Sequence, residues 1–348
     1  MTTNVVVATY HGVILGCDSL SSIIERAYFP FRVPNALARD ERGEVMTDPQ
    51  GRLLLAYDER NFQYTPTNIM GGVQKMFPLH EDVDPQNIEC SVAATTSGLG
   101  SLNGVVIAEV AERFRRRCRT NEQGFNSIEQ VVSMFLDYVR PQWEMQVGFD
   151  AADPAAHSFL DDLQFLIAGY GPADEYIKVI RVSVANESAV EVFKHAPHCS
   201  AAWAGQASAV ASLLMGFNPT TRWAIDRAVV ESLSAQRESV VTSVLGHLRE
   251  QGVAIPEPFE ARIDEVVPAD LPWSEGSPEF DWANLPVQSA VDLVSTLVNA
   301  QSAMQKFAMG IPTVGGRTRI GLMRRGMPFA FLNEPEIVHQ HVGYSHEA

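Results

Sequence analysis

A threonine directly after the first methionine carries the clearest potential for chemistry in this chain. Thr2 follows Met1, and removal of a methionine before a small residue is the expected processing. A hydroxyl is inert near neutral pH unless a base removes its proton, and a free α-amine on the same residue can be that base. The reference pKa of an α-amine, about 7.7–8.0, lies near working pH. Thr2 could therefore supply both nucleophile and general base, although an ordinary threonine at the start of a strand would look the same.

The segments after Thr2 predict the elements that would hold it. Residues 4–10 and 13–18 are predicted as two strands, and the short His11-Gly12 turn between them predicts a hairpin. An irregular stretch over residues 20–72 follows, with a hairpin around residues 48–51. Strands are then predicted at 73–79 and 89–96, and later at 163–168, 176–184, 189–193, 200–204, 317–324 and 328–332. Helices are predicted at 99–118, 128–143, 205–216, 223–251 and 287–307. This order favours sheets between helical layers over alternating βαβ units.

The stretch TTNVVVATYHGVILGCDS at residues 2–19 resembles the start of a mature proteasome β-type subunit, including the bacterial proteasome-like peptidases. These are N-terminal nucleophile hydrolases of the threonine peptidase type. The resemblance assigns the nucleophile to Thr2 and the aspartate that closes the hairpin to Asp18. The stretch VQKMFPL at residues 73–79 resembles the family's strand with the active-site lysine, which assigns Lys75. A lysine would lower the pKa of the N-terminal amine by like-charge repulsion, and an aspartate would hold the lysine in place.

The stretch SVAATTSGLG at residues 91–100 resembles the family strand that ends in glycines and opens a helix. Backbone N–H groups at such a helix start would point at the substrate carbonyl, as an oxyanion hole requires. The resemblance therefore assigns the donor to Ser97 or Gly98, and we choose Gly98. Later stretches at residues 165–170, 203–206 and 313–316 resemble later family strands and the closing glycine pair.

Three positions depart from the family pattern. Ala204 stands where family members carry a serine, and Ile311 and Val314 stand where they carry an aspartate and a serine. Because those groups assist the N-terminal amine, their loss would reduce catalytic efficiency. Thr313 could supply a hydroxyl if the alignment shifts by one residue.

Composition limits the partners and the compartment. The chain has 348 residues, is 46% hydrophobic and carries a net charge of −16, so a buried core is expected. Nucleic acid and acidic membranes are unexpected partners for this charge. Four widely spaced cysteines, no apolar run of about 18 residues and no basic N-terminal region predict a cytoplasmic protein without a membrane span. We expect no cofactor.

Three other patterns have less specific interpretations. The run GLGSLNG at residues 98–104 half-matches a dinucleotide-binding fingerprint, but a second predicted helix follows where a parallel strand should. An arginine cluster is interpreted as a solvated helix end rather than an anion site; its members are Arg113, Arg115, Arg116, Arg117 and Arg119. No fixed spacing links the histidines to carboxylates, so we assign no metal; they are His195, His198, His339, His341 and His346.

Together these observations predict an α+β fold, a four-layer αββα sandwich of the N-terminal nucleophile hydrolase type. We expect a single domain over residues 1–332, with insertions at about 20–72 and 252–286, and a peripheral tail at 333–348. The resemblance implies a threonine endopeptidase that cleaves peptides or unfolded protein inside a self-compartmentalised homo-oligomeric ring. An ATP-dependent unfoldase partner, the ring size and the side-chain preference stay open. The alternatives are a small-molecule amidohydrolase of the same fold and a catalytically impaired ring-forming homologue.

Overall fold

The structure is a computed structural model. It describes residues 2–28, 37–56, 62–82, 84, 87–120, 124–148, 162–254, 277–308 and 312–333. The chain divides into two compact units, one formed by Met1–Ala207 with Asp281–Ala348 and the other by Ser208–Phe280. The predicted tail lies almost wholly outside the described residues, so the single-domain boundary at residue 332 stays a prediction.

Within the described residues the fold is mixed α/β, with five helices and several sheets. The first strands are β1 (Thr3–Thr9), β2 (Gly12–Cys17), β3 (Ser21–Tyr28), β4 (Phe62–Met70), β5 (Met76–Glu81), β6 (Ser91–Gly98), β7 (Ser101–Leu102) and β8 (Val105–Val106). The later strands are β9 (Leu163–Tyr170), β10 (Lys178–Ser183), β11 (Ser188–Glu191), β12 (Ala201–Gly205), β13 (Arg319–Met323) and β14 (Ala330–Phe331). The helices are α1 (Ile107–Cys118), α2 (Ile128–Val147), α3 (Ser208–Met215), α4 (Pro219–Glu250) and α5 (Val287–Phe307).

Two five-stranded sheets form the centre of the larger unit. The first has the order β12-β1-β2-β13-β14, and the second has the order β11-β10-β9-β6-β5. All neighbouring strands in both sheets pair antiparallel. The predicted N-terminal hairpin is confirmed, because β1 pairs with β2 from Asn4–Cys17 to Thr9–Gly12.

Apolar side chains on both faces of the strands explain how these elements pack. β1 and β2 are buried along their whole length, so each presents apolar residues to both sides. Contacts join α5 to β1, β2 and β13, join β1 to β6, and join α1 and α2 to the strands of the second sheet. The approach of α5 is close: a Cβ on Gly16 would lie 2.2 Å from the Val294 Cγ1 atom. Glycine at this position lets the helix reach the strand.

The prediction that a helix starts at residue 99, directly after the strand, is wrong. The structure places a short hairpin there, β7 paired with β8, and α1 begins only at Ile107. Asn103 and Gly104 connect the two strands with φ angles of 49° and 78°. Asn-Gly favours this left-handed two-residue turn, so turn chemistry outweighed the helical spacing of the apolar residues.

The segment at residues 20–72 is less irregular than predicted. β3 pairs with β4 over Ser21–Tyr28 and Phe62–Met70. The predicted turn at residues 48–51 is confirmed, because the Asp48 carboxylate accepts the N–H groups of Gln50 and Arg52. Residues 29–36 and 57–61, and residues 255–276 of the second predicted insertion, lie outside the described part of the chain.

Each helix in the described part of the chain is too short or too polar to span a lipid bilayer.

Candidate active site

The first peptide bond of β1 is held from two sides. The backbone N–H of Thr3 donates to the Asp18 Oδ1 atom at 2.9 Å. The backbone N–H of Gln206 donates to the Thr2 carbonyl at 2.7 Å. Thr2 itself is only 5% exposed. The backbone at Thr2 is therefore held by Asp18, which directly follows β2, and by Gln206, which directly follows β12.

The Asp18 carboxylate accepts hydrogen bonds from several residues of this region. It is fully buried and accepts from three backbone N–H groups, on Thr3, Leu20 and Gly315, at 2.9, 3.2 and 3.1 Å. Its fourth donor is the Lys75 ammonium, at 2.9 Å from Oδ1. A buried carboxylate is stable only when it is paired and hydrogen-bonded, and this one meets both conditions.

Lys75 lies directly before β5, one residue outside the strand in which it was predicted. Its Nζ atom also donates to the Leu20 carbonyl, and its backbone carbonyl accepts the Thr96 N–H at 2.9 Å. Burial lowers the pKa of Lys75, and the Asp18 carboxylate opposes that change by favouring the charged form. The structure thus brings Asp18 and Lys75 together across the long segment that separates them in sequence.

Two glycines allow close backbone contacts, one at Thr2 and one at the end of β6. A Cβ on Gly205, whose φ is 77°, would lie 2.0 Å from the Thr2 carbonyl oxygen and 3.4 Å from the Ser97 Cβ atom. Ser97 therefore lies beside the Thr2 backbone, with Gly98 following it at the end of β6. Gly98 has a φ of 97°, and a Cβ there would meet the Asp162 carbonyl at 2.0 Å. Only glycine fits either position without a shift of the backbone.

The reason given for Gly98 as an oxyanion donor needs correction. The sequence placed it at the start of a helix, but the hairpin of β7 and β8 separates it from α1. α1 does not begin directly after Gly98, although its first N–H, on Ile107, donates to the Gly100 carbonyl at 3.2 Å. Any role of the Gly98 N–H rests on its place at the end of β6, next to Ser97.

Gln206 is one residue of this region whose role was not predicted from the sequence. Its backbone carbonyl accepts the Thr3 hydroxyl at 2.5 Å, and its side-chain Oε1 accepts the Thr313 hydroxyl at 2.6 Å. Ala204 and Val314 are buried apolar residues, so neither supplies a polar group, and Ile311 lies outside the described residues. The available signal was the position of Gln206 directly after the glycine of the WAGQ stretch.

Ser19 was also missed. Its hydroxyl accepts the Arg317 N–H at 2.8 Å, and its backbone N–H donates to the Gly315 carbonyl at 3.1 Å. Gly316, with a φ of 74°, passes so close that a Cβ would lie 2.6 Å from the Ser19 Oγ atom. The glycine pair at residues 315–316 therefore packs against residues 18 and 19.

Cys17 offers no competing nucleophile. Burial is the main cause that raises the pKa of its thiol to about 12, with the neighbouring Asp18 carboxylate adding to it. The thiol stays protonated at neutral pH, and the thiolate is the reactive form.

The structure also bears on the dinucleotide-binding, anion-binding and metal-binding interpretations of the sequence. Antiparallel pairing of β6 with β9 excludes a parallel dinucleotide-binding unit at residues 98–104. In the arginine cluster, Arg113 and Arg116 pair with carboxylates one helical turn earlier, which fits a solvated helix face. Among the described residues, no three His, Cys, Asp or Glu side chains are grouped to hold a metal ion. His339, His341 and His346 lie outside those residues.

Comparisons with known proteins give structural similarity alone. No family model matches the chain, and no curated protein matches it. The Anbu (Gly-1) mutant from Hyphomicrobium sp. strain MC1 is 10% identical, with 96% of this chain and 86% of that chain covered and a TM-score of 0.46. Anbu (ancestral beta-subunit) from Yersinia bercovieri is 9% identical, with 95% and 88% covered and a TM-score of 0.44.

These findings correct the family assignment. The similar structures are Anbu proteins, which are proteasome-like but form a family distinct from the proteasome β-type subunits and bacterial proteasome-like peptidases named above. At 10% identity or less and TM-scores below 0.5, only a loose proteasome-like relationship is supported, so that assignment was wrong. The physical reason is that residues 2–19 specify one hairpin, whereas a family is defined by the whole chain.

Proposed function

We propose that the chain hydrolyses amide bonds in peptides, with Thr2 as the nucleophile once Met1 has been removed. The supporting observation is the buried Lys75–Asp18 pair, whose carboxylate also binds the N–H of Thr3. A buried ion pair is poor evidence of a stabilising role, because hydrophobic residues in its place are often as stable. Its location one residue from a potential N-terminal nucleophile favours a chemical role instead.

The proposed reaction uses the Thr2 hydroxyl and the α-amine of the same residue. The amine takes the hydroxyl proton as Oγ1 attacks the substrate carbonyl, and then passes it to the leaving amine as the C–N bond breaks. Water, activated by the same amine, hydrolyses the resulting ester and restores Thr2. The Lys75 charge favours the neutral amine, and the Gly98 N–H is the proposed donor to the oxyanion.

For the fold, we propose that the contacts described above form a four-layer αββα arrangement. Its order would be α5, the first sheet, the second sheet, and then α1 with α2. The contacts of α5 with β1 and β2, and of α1 with β5, support it. In this order the Thr2 end of β1 would lie beside the end of β6.

A covalent probe tests the proposed chemistry directly. The full chain is incubated with a peptide epoxyketone, which reacts with an N-terminal hydroxyl and amine together, and its intact mass is measured. We expect one adduct on protein that has lost Met1, the same adduct on Thr2→Ser, and none on Thr2→Ala. Adduct formation on Thr2→Ala, or peptide cleavage by protein that retains Met1, would contradict the proposal.

We also propose that the sites are sequestered within a closed homo-oligomer. A nucleophile that attacks amides would damage other proteins if it were openly accessible, and identical interfaces that close by rotation form rings. We expect roughly ten or more subunits, constrained by closed symmetry alone. Light scattering measures this, and a monomer near 38.3 kDa that cleaves unfolded protein would contradict it.

A further inference from the structure

A cavity lies at the end of β1 opposite to Thr2. Its volume is about 620 Å³, within the usual range for small-molecule sites of roughly 300–1,000 Å³. The turn between β1 and β2 lines it, together with residues 175–177, 196–199 and 324–325. β1 has seven residues, so at about 3.3 Å per residue the cavity and Thr2 are roughly 20 Å apart. The cavity is therefore separate from the candidate active site.

Two arginines and one glutamate are the charged residues of the cavity lining. They are Arg324, Arg325 and Glu175, and the lining also includes His11 and His198. The whole chain has a net charge of −16, so this concentration of basic groups runs against its average. Within the described part of the chain, no residue accepts a hydrogen bond from the Arg324 guanidinium. Its donors are available to a ligand.

Arg325 is held in place beside Arg324. Its Nη1 atom donates to the Asp174 carbonyl at 2.5 Å, and its guanidinium lies over the Tyr170 ring, 5.5 Å from the centroid. The Gly326 N–H also donates to the Tyr170 hydroxyl at 2.8 Å, which ties the loop to the second sheet. A guanidinium fixed in this way loses little conformational entropy when it binds a ligand.

A rigid aromatic wall forms the second part of the cavity. The rings of Tyr176 and His198 stack with centroids 3.9 Å apart and an interplanar angle of 16°. The Tyr176 hydroxyl donates to Glu191 at 2.8 Å, and the His198 Nδ1 atom is 2.8 Å from the Phe193 carbonyl. Burial and the bond to Glu191 raise the pKa of Tyr176 to about 12, so its phenol stays neutral and does not repel an anion.

We propose that this cavity binds a small organic anion that carries a phosphate or carboxylate group on a planar ring. Arg324 and Arg325 bind the oxyanion through charge-assisted hydrogen bonds, for which the planar guanidinium is well suited. The stacked rings of Tyr176 and His198 contact the planar part of the ligand. This site is independent of Thr2 and of the proposed hydrolysis.

The test measures binding of three probes to the full chain by ligand-observed NMR and calorimetry at low ionic strength. Phenyl phosphate presents a phosphate with a ring, benzoate presents a carboxylate with a ring, and inorganic phosphate presents the anion alone. We expect phenyl phosphate or benzoate to bind more tightly than inorganic phosphate. The preference between the first two identifies the anionic group, and either result supports the proposal.

Two variants test whether the probes bind in this cavity or are attracted by exposed positive charge elsewhere on the protein. Arg324→Gln removes an exposed charge and should weaken the tighter ring-bearing probe about tenfold or more. Arg113→Gln, which removes an exposed arginine from α1, is the matched control and should leave the affinity unchanged. The proposal is overturned if no probe binds saturably at millimolar concentration, if inorganic phosphate binds as tightly as the ring-bearing probes, or if Arg324→Gln has no more effect than the control.

Discussion

The two ends of β1 use polar groups in opposite ways. At the Thr2 end, the Asp18 carboxylate has four donors and Lys75 is almost fully buried, so the charges satisfy one another. At the other end, Arg324 is exposed and its guanidinium has no acceptor among the described residues, beside a cavity. The charged groups at the first end are buried and paired with one another, whereas the second end leaves a cation exposed beside a cavity. The two ends of one strand therefore differ both in burial and in whether their charges are paired.

β5 repeats this contrast in the second sheet. Lys75 lies directly before the strand and His80 lies near its end, and burial lowers the pKa of both. Lys75 has a carboxylate at 2.9 Å, whereas the nearest carboxylate to His80, on Asp82, is 3.5 Å away and makes no hydrogen bond to the His80 Nε2 atom. Replacing Lys75 should consequently lower stability far more than replacing His80.

The largest expected effect is that of Lys75→Met. The variant leaves the buried Asp18 carboxylate without its cation, which should lower the free energy of unfolding by about 3–5 kcal/mol. If Thr2 is the nucleophile, hydrolysis should also fall by orders of magnitude, because the Thr2 amine loses the neighbouring positive charge. Urea unfolding and peptide turnover measure the two effects.

Two further variants sharpen this first prediction. Asp18→Asn combined with Lys75→Met removes both charges but keeps an acceptor oxygen for the backbone N–H groups, so it should recover part of the lost stability. Arg324→Gln at the opposite end should change stability by less than about 0.5 kcal/mol. Similar stability losses in Lys75→Met and Arg324→Gln would show that the two ends do not differ as described.

Two glycines with nearly the same backbone angle give the next largest effect. Gly205 has a φ of 77° and Gly326 has a φ of 73°, but a Cβ would lie 2.0 Å from the Thr2 carbonyl in the first and in open space in the second. Gly326→Ala should lose about 1–2 kcal/mol, from the left-handed backbone alone. Gly205→Ala should lose a further 1–3 kcal/mol or so by overpacking, and should displace Thr2. Thermal unfolding that ranks the two variants equally would contradict this account.

The sequence predicted local structure well and distant contacts unevenly. The hairpin of β1 and β2 and the bounds of α5 follow from short apolar runs, a glycine turn and helical periodicity, which are local properties. The start of α1 was predicted too early, because an Asn-Gly turn interrupts an apolar pattern that fits a helix. Local rules detect both the pattern and the turn, but they do not decide which one dominates.

The candidate site was only partly predictable for a related reason. Asp18 and Lys75 were predicted from a resemblance to a family, and that family assignment was wrong. The fold nevertheless brings the two residues together. Gln206 could not be assigned, because its contact with Thr2 depends on the pairing of β1 with β12. No property of the sequence near Gln206 reveals which strand will lie beside it.

A smaller effect is expected at Thr313, whose hydroxyl fixes the Gln206 side chain. Thr313→Val keeps the shape and removes the donor, so we expect a stability loss of about 1 kcal/mol. If Gln206 positions Thr2, peptide turnover should fall by about tenfold in Thr313→Val and recover in Thr313→Ser. Turnover that is equal in all three proteins would limit Gln206 to a structural role.

The smallest expected effect concerns His80, the buried histidine near the end of β5. Burial is the main cause that lowers its pKa below 6.5, and the Asp82 carboxylate opposes that change. Between the lowered value and pH 6.5, the unfolded chain therefore binds more protons at this residue than the folded chain does. The stability contribution is fully present above about pH 6.5 and is lost as the pH falls through the folded pKa.

His80→Phe tests this difference, because it keeps a ring beside Phe125, whose centroid is 4.7 Å from that of His80, and removes the titration. Between pH 7 and pH 5, the fall in Tm should be smaller in the variant than in the unsubstituted protein by about 1–2 °C. The control is His247→Gln, which removes an exposed histidine from α4 and should not flatten the profile. An unchanged profile in His80→Phe would mean that burial near the end of β5 excludes charge less than the structure indicates, and the contrast between Lys75 and His80 would be weakened.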